Sequence, residues 1–71
     1  MSQTITVKIG GMSCDHCAKT VREALEQLPY VVEVEVNRKK EWAVIQASAE
    51  LDYALISQAV DEVGYEALGI I

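Results

Sequence analysis

The chain predicts an α+β fold with its elements in the order βαββαβ. Three observations carry that order. Four short segments have strand-like alternation or β-branched composition, two intervening segments repeat apolar residues at helical spacing, and glycine, proline or Asn-Arg-Lys breaks separate them. The 71 residues are expected to form one domain spanning 1-71. A chain this short buries only about 60% of its unfolded surface, so its core has to be efficient.

Thr4-Ile5-Thr6-Val7-Lys8-Ile9 alternates polar and apolar, the period of a half-buried strand. Gly10-Gly11 ends it. From Asp15 to Leu28 the apolar residues Val21, Ala24, Leu25 and Leu28 recur at helical spacing, with Lys19, Arg22, Glu23 and Glu26 on the other face. Pro29 stops this helix. Val31 to Val36 is β-branched, with Glu33 and Glu35 turned away from Val34 and Val36. Asn37-Arg38-Lys39-Lys40 reads as a polar hairpin turn into a third strand from Trp42 to Ala47. Leu51 to Val63 predicts a second helix, with Leu55, Ile56, Ala59, Val60 and Val63 inward and Gly64 as its C-terminal cap. Tyr65 to Ile71 is a short final strand.

Two helices with apolar stripes need a sheet face to cover. The simplest arrangement is a four-stranded antiparallel sheet with both helices on one face, the ferredoxin-like split βαβ architecture. Its other face is left to water. With Ala43, Ile45 and Ala47 inward, Trp42, Val44 and Gln46 point outward. Trp42 is then either a contact patch or a ring lying flat on its own sheet.

A net charge of −5, from 11 acidic and 6 basic side chains, disfavours nucleic acid as a partner. There is little polypeptide for a cleft with lids, which favours a binding module over an enzyme. Met1-Ser2-Gln3-Thr4 lacks the charged start and apolar run of a signal peptide, and no stretch approaches the roughly 20 apolar residues of a membrane span. A cytoplasmic protein without direct membrane insertion is expected.

The chemistry concentrates in Gly11-Met12-Ser13-Cys14-Asp15-His16-Cys17, which contains the only 2 cysteines of the chain. In a reducing compartment a disulfide staple is disfavoured, and a bridge across so few residues closes too small a loop to stabilise much. Cys14 falls in the loop after strand one and Cys17 in the first turn of helix one. There, unpaired backbone N–H groups and the helix dipole favour thiolates, and Lys19 adds positive charge nearby. Two thiolates are an incomplete set for structural zinc, which takes four ligands. They suit Cu(I), a soft ion that thiolates select. Ser13, before the first cysteine, offers no carboxylate. A dithiol redox pair is the competing reading, but Asp15-His16 between the cysteines is unlike the aromatic and Gly-Pro context of thioredoxin-type motifs. His16 reads as a third ligand, a proton donor or a solvent-facing loop residue. Met12 reads as a thioether ligand or as a plug beneath the loop, the use that Met's flexibility suits best. Tyr65, after Gly64, reads as a phenol close to a sulfur or as an ordinary core-edge tyrosine.

These residues carry a family resemblance over nearly the whole chain. Gly11-Met12-x-Cys14-x-x-Cys17 leading into a helix, Val34-x-Val36-Asn37 in strand two, and Gly64-Tyr65 before the last strand resemble the heavy-metal-associated domain. That family includes bacterial copper chaperones and the N-terminal domains of copper-transporting P-type ATPases. The resemblance implies Cu(I) held by Cys14 and Cys17, with Met12 buried and not a ligand. It implies that Tyr65 matches a tyrosine typical of bacterial copper members, and that Ser13 leans away from zinc. Tyr30, where the family often has glycine, and Trp42 depart from the pattern.

The expectation is a Cu(I) metallochaperone that delivers copper to a P-type ATPase metal-binding domain by thiolate exchange. A copper-bridged homodimer is a further expected form. The alternatives are the same domain excised from such an ATPase, or a Zn, Hg or dithiol redox module.

Overall fold

A computed structural model describes residues 3–12 and 14–71. The order is β1 (Gln3–Gly10), α1 (Asp15–Glu26), β2 (Val31–Asn37), β3 (Trp42–Ala47), α2 (Tyr53–Glu62) and β4 (Glu66–Ile70). The strands form one sheet in the order β2-β3-β1-β4, every pairing antiparallel. This is the expected ferredoxin-like βαββαβ fold. The β1–β4 ladder shifts register between Lys8 and Ile9.

Strand alternation does the sorting. Ile5, Val7 and Ile9 of β1 and Ala43, Ile45 and Ala47 of β3 are buried, and Val21 and Leu25 of α1 and Ile56, Ala59 and Val60 of α2 close over them. No polar or charged side chain is buried among the described residues. Apolar burial therefore carries the fold's stability. Trp42 and Val44 are half-buried on the open face, and the Lys40 ammonium lies 5.0 Å from the Trp42 ring centroid. The ring is engaged by its own hairpin.

Both helices are shorter than apolar periodicity predicts. α1 ends at Glu26, and Leu28 follows in a turn whose N–H bonds the Leu25 carbonyl. Its side chain still packs on the core, so the apolar stripe outlasts the helix. α2 begins at Tyr53 because Asp52 caps it, its Oδ1 accepting the Ala54 N–H at 3.0 Å. Leu51 precedes the cap and is buried with Ile56, the N′ and N4 positions of a hydrophobic staple. Leu55, expected inward, is 38% exposed: with the helix phased on Ile56, Ala59 and Val60, it falls on the flank. At the other end Gly64, with φ 89°, adopts the left-handed conformation. Its N–H bonds the Asp61 carbonyl and that of Tyr65 the Val60 carbonyl, a Schellman motif that turns the chain into β4.

Register places three connections at one pole of the sheet. Gly10 ends β1 opposite Glu66 at the start of β4, and Trp42 starts β3 opposite Lys8 and Asn37. The loop carrying the cysteines, the β2–β3 turn and the Gly64-Tyr65 corner therefore lie together. No helix among the described residues is long and apolar enough to cross a membrane.

Candidate metal centre

The site is built at the junction of β1 and α1. Gly11 has φ 94°, which favours glycine, and a Cβ there would stand 3.4 Å from the Tyr65 ring. Met12 then turns into the core, 3% exposed, and pins the loop from beneath. Cys14 is the N-cap of α1, extended at φ −151° and ψ 169°, and its side chain makes no capping bond. Cys17 lies in the first helical turn, partly buried against the core. A helical turn closes the distance between them. The two sulfurs lie 3.0 Å apart, beyond the roughly 2.05 Å of a disulfide, so they form an unbridged pair. One sulfur is at the exposed rim and the other is backed by the core.

Tyr65 reaches the pair from the opposite loop. Its hydroxyl hydrogen-bonds Cys17, and this bond is the main reason its pKa stands above the ordinary 10.0. Burial and the negative charge of Cys17 and Cys14 add to the shift. The phenol thus acts as a proton donor beside the inner sulfur.

The other candidates are placed differently. His16 is exposed, and its carbonyl accepts the Thr20 hydroxyl at 3.0 Å. Among the described residues no three His, Cys, Asp or Glu side chains converge as a metal-holding cluster. Lys19 runs along the helix to Glu23, 3.9 Å away, and lines a groove between α1 and β2 with Arg22, Glu33 and Glu35. Ser13 lies outside the described residues. The hairpin turn adds a residue that sequence patterning assigned to a polar turn alone. Arg38 places its guanidinium Nε 3.1 Å from Oδ1 of Asp15, the residue after Cys14. Asp15 also suits its position, since a carboxylate in a first helical turn meets the positive end of the dipole.

A rim of two thiols, one core-backed and one accessible, suits capture of a soft ion in an open coordination shell. Known proteins resemble this chain. The chain is 41% identical over 68 residues to the copper chaperone CopZ of Enterococcus hirae, covering 94% of this chain and 96% of that protein. It is 34% identical over 67 residues to the probable copper-transporting ATPase PacS of Synechocystis, but spans only 9% of that protein. The solved N-terminal domain of PacS superposes with a TM-score of 0.84 at 30% identity, covering 97% of each chain. A mercuric reductase of Shigella flexneri matches at 37% identity over 62 residues, 87% of this chain and 11% of the enzyme. The model of the heavy-metal-associated domain matches residues 6–66, from within β1 to the first residue of β4, and so takes in both helices and both cysteines. By that match the chain belongs to the heavy-metal-associated domain family.

Proposed function

We propose that Cys14 and Cys17 hold Cu(I) and pass it to a metal-binding domain of a copper-transporting P-type ATPase. The observation that carries this reading is the sulfur pair itself, 3.0 Å apart with Cys14 at the exposed rim. Loading requires the pair to open. At a metal–thiolate bond of about 2.3 Å, a tetrahedral angle sets two sulfurs about 3.8 Å apart and a linear one about 4.6 Å. Cys14 supplies that movement, because it stands at the accessible cap position while Cys17 is held by its helix and the core.

Transfer then proceeds by ligand exchange. A partner thiol gives up its proton and forms a third copper–sulfur bond, the bond to Cys14 breaks, and the released Cys14 sulfur takes that proton; a second partner thiol then displaces Cys17 in the same way, and the ion leaves with the partner. Copper keeps its oxidation state, and no bond in an organic substrate is broken, so the activity is carriage and not enzymatic catalysis. It belongs in the reducing cytoplasm, where thiols stay unbridged. Similarity over nearly the full length of a copper chaperone supports the free-chaperone form. Similarity to an ATPase N-terminal domain supports a second reading, in which the same domain is the receiving end. Without a partner, a second copy supplies the exchanging thiolates and gives a copper-bridged dimer.

The test is an anaerobic competition. The protein is titrated with Cu(I) against a chromogenic chelator, with Zn(II) present, and then mixed with a Cys-x-x-Cys domain of an ATPase. Copper is expected to bind at one ion per chain, to resist Zn(II), and to move to the ATPase domain. Displacement by Zn(II), or copper that stays in place, overturns the assignment.

A further inference from the structure

The net charge of −5 is unevenly placed. Residues 42–71 hold five acidic side chains and no basic one, whereas residues 1–41 hold six of each. The whole excess therefore sits on the half built from β3, α2 and β4. Among the described residues, none of those five carboxylates is in an ion pair.

The sheet order leaves β2 and β4 as its two edges. The groove between α1 and β2 sets Lys19 and Arg22 against Glu33 and Glu35, so its charges answer one another. The groove between α2 and β4, about 750 Å³, carries Asp52, Asp61 and Glu66 with no cation among its lining residues. Asp52 is engaged in capping its helix, which leaves Asp61 as the carboxylate that α2 offers to a ligand.

The β4 strand reads Glu-Ala-Leu-Gly-Ile. It has neither the Lys nor the Pro that commonly blunts a free edge, and its outer N–H and C=O groups meet no further strand among the described residues. Its two faces differ. Ala67 packs toward the core and lines the groove. Leu68, the extra residue where the ladder with β1 shifts register, stands over Gly10 on the uncovered face and is 52% exposed. A strand laid along this edge turns alternate side chains to opposite faces. One set meets the groove that Asp61 lines, and the other meets Leu68.

We propose that the α2–β4 edge binds an extended segment of a partner protein in which basic and apolar residues alternate. Main-chain hydrogen bonds to β4 hold it, Lys or Arg side chains enter the acidic groove, and apolar ones cover Leu68. A second copy of this chain is the wrong occupant, because its own edge strands, Val31–Asn37 and Glu66–Ile70, contain no basic residue. Since β4 starts one residue after Tyr65, the bound segment lies beside the sulfur pole and gives the partner a hold that needs no metal.

The test is amide NMR on the reduced, metal-free protein titrated with synthetic hexapeptides. An alternating Lys-Val peptide is expected to shift the signals of α2 and β4 and to slow amide exchange in β4. The same composition in two blocks, Lys-Lys-Lys-Val-Val-Val, is expected to bind less tightly, and an alternating Glu-Val peptide not to bind. Asp61→Asn should weaken the alternating Lys-Val peptide about two- to five-fold, a difference that fades at high ionic strength. Glu33→Gln, on the opposite edge, should leave its affinity unchanged. Block and alternating peptides that bind equally reduce the effect to diffuse charge attraction and overturn the proposal. Shifts confined to α1 and β2, equal affinity for Asp61→Asn and the wild type, or no binding of the alternating Lys-Val peptide overturn it too.

Discussion

The two helices begin in opposite ways. α2 starts at Asp52, whose carboxylate accepts the Ala54 N–H, with Leu51 and Ile56 stapled into the core on either side. α1 starts at Cys14, which occupies the same cap position and makes no capping bond. The first start is finished by its own side chain. The second leaves backbone donors and the positive end of a helix dipole facing a pair of sulfurs. The difference teaches that α1 gives up a stabilising cap to keep a thiol where negative charge is welcome.

That contrast sets its own tests. The largest effect falls on metal retention. Cys17→Ser is expected to weaken copper binding by more than the ~10–100-fold that loss of a residue supporting a metal ligand costs. Circular dichroism should show the fold retained, since Cys17 is only partly buried; copper held as tightly as before by the variant would remove the site. Next is Asp52→Ala, which leaves α2 uncapped and should cost about 1 kcal/mol. In a domain of this size that lowers the melting midpoint by about 4–8 °C, with metal affinity unchanged.

Cys14→Ser runs the comparison in reverse. It gives α1 a good capping residue while removing a sulfur. The apo protein should gain up to about 1 kcal/mol, read by chemical denaturation, and lose its copper. A variant less stable than the wild type would show that the Cys14 sulfur already serves the helix.

The smallest effect is on Tyr65. Its folded pKa lies above the 10.0 of an ordinary phenol, so the folded state holds that proton more tightly than the unfolded chain. The stabilising contribution is complete below pH 10 and is lost as pH rises through the folded value. Cys17→Ala removes the principal cause and should bring the Tyr65 midpoint down. The difference in phenolate absorbance against Tyr65→Phe isolates this group; an unchanged midpoint would break the link between phenol and sulfur.

Much of this was legible in the sequence, for identifiable reasons. Strand alternation in Thr4 to Ile9 and Trp42 to Ala47 predicts which side chains are buried, because one face of the sheet is covered and the other is wet. Cys14 at the helix entrance, Cys17 in the first turn and Met12 beneath the loop follow from the glycine break and the onset of helical spacing. Helix ends were less legible. Leu28 and Leu51 continue the apolar stripes beyond the hydrogen-bonded turns, so periodicity alone runs past Gln27 and begins before Asp52. The Tyr65 contact was half visible, since the fold brings its loop to the cysteines while only geometry supplies the hydrogen bond. The Arg38–Asp15 pair has no local signature. It exists because strand register stacks the β2–β3 turn beside the start of α1.

The same register has a practical consequence for handling the molecule. Gln3 lies opposite Ala47, remote from the sulfur pole, and Ile71 bonds back to the Thr6 carbonyl half-way down β1. An affinity tag or surface tether attached at Ile71 starts away from the thiols, so an immobilised sample presents its reactive end to the bulk liquid, ready for contact with whatever flows past.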